Sequence, residues 1–322
     1  MTFAGDARVV LIGNEKGGCG KTALTAAVAH AIATGGRGGG HKVLLIDGDR
    51  QGTMSKSDMG QRDVFDRGAS LAGSLLFGQD LQPLVDVKRN LDLVAGGKIL
   101  ERVSAAAAAM PPEEMLANFE GALTRLCEQR GYEFVFIDSP PGEAPLLDTF
   151  MSTANYLVIP TMSDTGSLDG VEESALRYKK ARRNGAGVAL LGIALFGEDH
   201  SATARNADTF RQIEEMLGTS GIEPFRSIIR VARSVANDCR LRGVTPAEMI
   251  EVSKKARKET FKALEAGIKP SRPIWSSGQT AAKLATDYQA LVYEIISRIA
   301  QYEERAAEEA GAAETRIAAA GV

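Results

Sequence analysis

The chain has 322 residues, 44% hydrophobic and 25% charged, with a formal charge of −3. This is ordinary soluble-globular composition, enough for one large core or two small ones, and the acidic balance excludes a constitutively basic nucleic-acid binder while leaving room for a local basic face. The opening residues lack a basic secretory n-region, no apolar run approaches the ~18 residues that span a bilayer, and Cys19, Cys127 and Cys239 are too scattered for a disulfide framework or a paired-cysteine metal site.

The first predicted element is the apolar run Ala7 to Gly13, a buried strand ending in glycine. From Lys21 to about Thr34, Leu24, Val28, Ala31 and Ile32 recur at helical spacing, and the glycine-rich run 35–40 stops the helix. A second buried strand, "HKVLLIDGD", ends in carboxylates. "LDLVAGG", "GYEFVFIDSPPG", "ANYLVIPTMSD" and "GVALLGIALFG" repeat the form, separated by helix-length segments such as Pro112 to Arg130 and Gly170 to Arg183. The alternation predicts an α/β fold with a mostly parallel sheet and helices on both faces, its ligand site at the carboxyl ends of the strands. The last third predicts helices over Pro246 to Ala266 and Thr280 to about Ala307. A single domain over residues 1–304 with a frayed Ala/Glu-rich tail over 305–322 is expected.

"GNEKGGCGKT", Gly13 to Thr22, lies between the first strand and the first helix. A glycine turn there exposes consecutive backbone N–H groups, and the helix N-terminus adds partial positive charge, which makes an anion cradle. Lys21 can reach β- and γ-phosphates and Thr22 can offer its hydroxyl to Mg²⁺. The expected cradle is Lys16, Gly17, Gly18, Cys19, Gly20, Lys21, Thr22 and Ala23. A standard phosphate loop needs glycine seven residues before Thr22, and this chain has Glu15 there, so the loop is a variant. Asp47 and Asp49 in "IDGDRQG" and Asp138 in "FVFIDSPPG" end strands that should face it.

"KGGCGKT", "IDGDRQG" and "FVFIDSPPG" together resemble the deviant Walker A ATPases of the ParA/MinD superfamily, most closely the ParA type. The resemblance implies a P-loop ATPase that uses ATP and Mg²⁺ and dimerises around the nucleotide. Lys21 would serve its own nucleotide, while Lys16 would cross the dimer interface to the partner's phosphates. Asp49 would position the attacking water, and Thr22, Asp47 and Asp138 would serve the Mg²⁺ site. Arg50 departs from the family's D-x-D-P-Q-G pattern, which has proline there. Cys19 is expected to pack. "PIWSSGQTAAKLATDYQALVYEI" resembles the family's closing strand-turn-helix, whereas Phe196 to Asn206 matches poorly and leaves the adenine contacts unplaced.

Members of this superfamily differ in what the ATP-bound dimer holds. The acidic tail lacks the basic amphipathic helix of MinD-type membrane binders, and the cysteines lack the pairing of cluster carriers. Arg226, Arg230, Arg233, Arg240 and Arg242 form a candidate phosphate-contacting surface, with Arg233 the leading residue, although charge runs are usually solvated faces, as expected for Lys254, Lys255, Arg257 and Lys258. The resulting expectation is a cytoplasmic, nucleoid-associated homodimer that binds DNA non-specifically with ATP and positions a plasmid, chromosome or other cargo with a ParB-like partner or cargo adaptor, without a membrane role. Two alternatives share the sequence features: a division-site positioning regulator, and a nucleotide-dependent metabolic enzyme on the same fold.

Overall fold

Strand β1 (Arg8–Ile12) sends Val9 and Leu11 into one apolar cluster and Val10 and Ile12 into another, and all four are fully buried. A strand that is apolar on both sides requires cover on both faces of its sheet. In the computed structural model, which describes residues 5–35, 40–63, 66–268 and 274–320 with side chains to residue 312, that cover comes from two helical layers.

Strands β2 (Val43–Asp47), β3 (Leu84–Lys88), β4 (Leu91–Val94), β5 (Phe134–Asp138), β6 (Tyr156–Thr161), β7 (Ala189–Glu198) and β8 (Ile228–Arg230) join β1 in an eight-stranded sheet of order β3-β4-β2-β5-β1-β6-β7-β8. Every pair is parallel except β3 with β4, a hairpin at one edge. Helices α1 (Lys21–Thr34), α8 (Arg233–Arg242), α9 (Pro246–Glu265) and α10 (Gly278–Ala320) contribute Leu24, Val235, Met249 and Leu284 to one core. On the other face lie α2 (Ala69–Phe77), α3 (Glu101–Ala106), α4 (Pro112–Arg130), α5 (Ala144–Thr153), α6 (Thr165–Arg183) and α7 (Thr203–Leu217), through residues such as Leu75, Phe119, Phe150, Val171 and Ile213.

The fold differs from the sequence expectation at four places. Helix α6 begins five residues before Gly170, because Asp164 caps it by accepting from the Ser167 amide at 3.1 Å and hydroxyl at 2.6 Å. The closing strand before the last helix is absent from residues 274–277: the Trp275 and Ser276 amides donate to the Asp238 carboxylate at 2.9 and 2.7 Å instead of to a neighbouring strand. The tail expected to fray is helical to Ala320, as alanine, glutamate and arginine favour. Packing of α10 on the body reaches Glu303, which pairs with Arg8 at 2.6 Å, and residues 304–312 are exposed. Finally, β3 is interrupted by Asp86 and largely open to solvent, and β8 has only three residues, so neither was read from pattern. The glycine run expected to stop α1 lies mostly in 36–39, outside the described residues.

The register places the chemistry. Asp138 at the end of β5 pairs with Ile12 of β1 on one side and with Asp47 of β2 on the other. The loop that follows β1 therefore emerges beside two strand-end carboxylates.

Candidate functional site

From Gly13 to Gly20 the chain leaves β1 and enters α1 through two left-handed residues, Gly18 (φ 84°) and Gly20 (φ 89°). Glycine is obligatory at the second for a further reason: a Cβ on Gly20 would sit 2.3 Å from the Phe196 ring. The loop is anchored from below. Asn14, fully buried, donates to the Pro160 carbonyl at 2.7 Å and accepts from the Lys16 amide at 2.8 Å. Glu15, which stands where the standard motif has glycine, donates its amide to Ser174 Oγ at 3.1 Å and pairs through its carboxylate with Arg177, which also holds Asp148. Pattern reading missed Asn14, Ser174 and Arg177 as loop anchors; the signal available was a carboxylate inside a phosphate loop, which needs a partner of opposite charge.

Within the cradle, Lys21 is buried and its Nζ donates to the Lys16 carbonyl at 2.7 Å. Cys19 is fully buried, donates its thiol to the same carbonyl at 3.3 Å, and is pushed above the ordinary thiol pKa by burial, so it packs rather than reacts. Gly17 and Gly18 are exposed, and Thr22 and Ala23 are half-buried at the start of α1. Lys16 is exposed, and its side chain lies along α6, where a Cβ on Gly166 would meet its Nζ at 2.4 Å.

The carboxylates divide in role. Asp47 is fully buried and both its oxygens are engaged: Oδ2 accepts from the Ser55 amide at 2.9 Å and hydroxyl at 2.7 Å, and Oδ1 accepts from the Asp49 amide at 3.2 Å. Asp138 is equally buried, yet neither oxygen has a hydrogen-bond partner among the described residues. Burial, and after it the neighbouring Asp47, raises its pKa well above the carboxylate range, outweighing the nearby Thr22 hydroxyl, which is not aligned for a hydrogen bond, and the Lys21 ammonium, both of which favour the ionised form. Burial likewise raises Asp47 to about 6. A buried, unpartnered carboxylate beside a second one fits a cation. Among the described residues no three His, Cys, Asp or Glu side chains converge as a metal cage. Magnesium fits such a site, since it usually takes one or two carboxylates plus phosphate oxygens and water.

The sign of these shifts gives a pH prediction. Because folding raises both pKa values, the protonated acids contribute stability that is complete below the ordinary 3.8 and, for Asp47, is lost as pH rises through about 6. A divalent ion competes with that proton. The rise in Tm on adding Mg²⁺ with ATP is therefore expected to be larger at about pH 7.5 than at about pH 5 in thermal denaturation. Equal rises would separate these acids from the ion.

Asp49 is half-buried at the mouth of the site and holds its own turn: its Oδ1 accepts from the Gln51 amide at 2.8 Å and its carbonyl from the Gly52 amide at 2.9 Å, with Gly52 at φ 59°. Replacement of proline by Arg50 therefore leaves a closed turn. Beside the loop, a cavity of about 240 Å³ is lined by Gly18, Ala23, Met162, Phe196, Gly197 and Ala232, among others. Phe196 and Gly197 close the run read as a strand and open the segment whose poor match to the family left the adenine contacts unplaced.

The arginines separate clearly. Arg230 is held by Asp287 through two bonds of 2.6 and 2.7 Å, Arg240 leans on Asp58 at 3.7 Å, Arg226 pairs with Glu214 at 3.0 Å, and Arg242 buries its Nε without a partner among the described residues. Arg233, first residue of α8, is exposed and has no ion pair among the described residues. The side chains of Lys254, Lys255, Arg257 and Lys258 are exposed along α9, with Lys254 paired to Glu251 at 2.6 Å.

Residues 7–185 match the family described as an AAA domain. The chain is 30% identical to the chromosome-partitioning ATPase Soj of Thermus thermophilus over 164 residues, which is 51% of this chain and 58% of that protein; it thus spans little more than half the length of this relative. Among solved structures, apo McdA of Cyanothece superposes with a TM-score of 0.63 at 19% identity over 76% of this chain and 93% of that one. The septum site-determining protein MinD of Pyrococcus horikoshii, complexed with Mg-ADP, superposes with a TM-score of 0.59 at 20% identity over 92% and 96%. At such identities the structural likenesses speak for the fold.

Proposed function

Because this chain belongs to the AAA domain family and is a P-loop ATPase of the ParA/MinD superfamily, we propose that it is a dimerising partition-type ATPase that binds DNA in its ATP state and positions a cargo. The observation that carries the nucleotide half of this reading is Asp138, fully buried with both oxygens unpaired beside the cradle.

In this reading the phosphates lie on the amides from Gly17 to Thr22 and Lys21 exchanges its bond to the Lys16 carbonyl for the β- and γ-phosphates. Thr22 and Asp138 hold Mg²⁺, whose contribution is to neutralise phosphate charge, and Asp47 fixes the Asp49 loop through its amide. Asp49 orients the attacking water. The 240 Å³ cavity takes the base, with the Phe196 ring on one wall. Lys16 is supplied to the partner subunit's nucleotide, which makes hydrolysis conditional on dimerisation.

The DNA half rests on Arg233. An exposed arginine without a carboxylate partner can release a counterion from DNA, whereas Arg230, held at Nε and Nη2 by Asp287, cannot do so without breaking that pair. A ParB-like protein or cargo adaptor stimulating hydrolysis would complete the cycle, in the cytoplasm and on the nucleoid. Among the described residues no helix is long and apolar enough to cross a membrane.

The test is retention on random-sequence DNA with Mg²⁺ and either ADP or a slowly hydrolysed ATP analogue across a salt titration. Salt-sensitive retention with the analogue alone is expected. Arg233→Ala should weaken it on every sequence and reduce the slope of log affinity against log salt by about 0.9 for each phosphate that the arginine neutralises. Failure to bind in either nucleotide state, with the dimer shown to form, overturns the DNA reading and favours a protein scaffold or a metabolic acceptor.

A further inference from the structure

Arg50 stands immediately after Asp49, at the position where the D-x-D-P-Q-G pattern that this segment resembles has proline. Its Nε lies 3.2 Å from Glu143 Oε1, and its Nη1 lies 3.9 Å from Glu101 Oε1. Glu143 is itself fixed, with its side chain only 16% exposed and its other oxygen accepting from Ser104 Oγ at 2.9 Å. Glu143 closes the segment that begins at Asp138 and precedes α5. One guanidinium therefore joins the loop that carries Asp49 to the far end of the segment that carries Asp138. Nearer the strands, a backbone bond from the Gly48 amide to the Asp138 carbonyl, 3.0 Å, already joins their roots. Proline could make no such link, having neither charge nor reach.

We propose that Arg50 is a positioning residue that couples the Asp49 loop to the Asp138–Glu143 segment, so that displacement of either is transmitted to the other. The proposal rests on the proposed water-orienting role of Asp49. The arrangement suits a coupling that opens and recloses. Half of the Arg50 side chain is exposed, so solvent screens the pair and it does not lock, while the half-buried and hydrogen-bonded Glu143 gives it a fixed seat. Glu101 and Ser104, on and beside the first turn of α3, bring a third element to the same point.

The experiment compares Arg50→Ala, Glu143→Gln, the double variant and Arg50→Lys in the full chain. Glu143→Gln keeps an acceptor for Ser104 and removes only the charge. Two readouts are taken: steady-state ATP hydrolysis against ATP concentration, and amide hydrogen exchange at residues 48–52 without nucleotide. Each single variant is expected to lower kcat about three- to tenfold with little change in KM, the double variant to be no worse than the worse single, and Arg50→Lys to recover most of the loss. Exchange at 48–52 should quicken in both single variants. Unchanged exchange in Glu143→Gln, or losses that multiply in the double variant, overturns the coupling. Because exchange is read without nucleotide, it decides the coupling even for a chain that hydrolyses no ATP, an outcome that would count against the proposed function instead.

Discussion

Lys21→Ala is expected to lower kcat for ATP hydrolysis by about 10³-fold, which corresponds to about 4 kcal/mol of barrier, and to weaken ATP binding as well. The Lys21 ammonium is buried within the cradle and bonded to the Lys16 carbonyl 2.7 Å away, so it is a positive charge already desolvated and aimed at the loop rather than at water. A charge presented in that way gains more from a phosphate than a solvated lysine does, because little reorganisation accompanies contact. Removing it also leaves the Lys16 carbonyl with the Cys19 thiol as its remaining side-chain donor, 3.3 Å away. Equilibrium binding of a fluorescent ATP analogue and steady-state hydrolysis measure the two effects separately. A variant that hydrolyses ATP within tenfold of the parent would remove Lys21 from the phosphates.

Lys16→Ala is expected to have a hydrolytic effect of similar size, about 10³-fold, with a different signature. Lys16 is exposed, and the hydrogen bond that shapes the loop is made by its amide to Asn14, not by its side chain. Truncation should therefore change stability by no more than about 0.5 kcal/mol and leave binding to the monomer nearly intact. Loss should appear in the ATP-driven dimer, measured by sedimentation with a slowly hydrolysed analogue, and in turnover. Dimers that form at the parent's ATP concentration would deny the lysine its role in trans.

The strands and the site differed in how plainly they could be read. Runs such as Phe134–Asp138 are apolar at every position before the closing acid, and burial on both faces of a parallel sheet imposes that pattern directly. Helix α4 was legible to the residue because Pro112 starts it and Gly131, in the left-handed conformation, ends it. Asp47 and Asp138 were legible as strand ends, but their division of labour was not. That depends on Ser55, eight residues beyond Asp47 in a π-helical turn, which takes one acid's hydrogen bonds and leaves the other's oxygens unpaired. The arginine surface was the least legible, because Asp287, which neutralises Arg230, is 57 residues away on α10 and Glu214, which holds Arg226, lies on α7. Local charge counting has no access to partners that the topology brings together.

Glu15 shows the same limit from the other side. Its position in the variant loop was evident, while its seat on Ser174 and Arg177 required α6 to lie beneath the loop. That seat ties the loop both to α6 and, through Asp148, to α5, the helix that follows the Asp138 segment.

Whether Lys16 acts on the partner's nucleotide is decided by mixing two inactive variants. On the proposed reading, a heterodimer of Lys16→Ala with Lys21→Ala would hold one complete site, the first chain supplying Lys21 to its own ATP and the second supplying Lys16 across the interface. Hydrolysis is expected to reappear on mixing, to rise with the heterodimer fraction, and to reach at most half the parent's rate per dimer, about one active site in two. Turnover that stays at the sum of the separate variants, with heterodimers demonstrated in the same sample, would rule out action in trans.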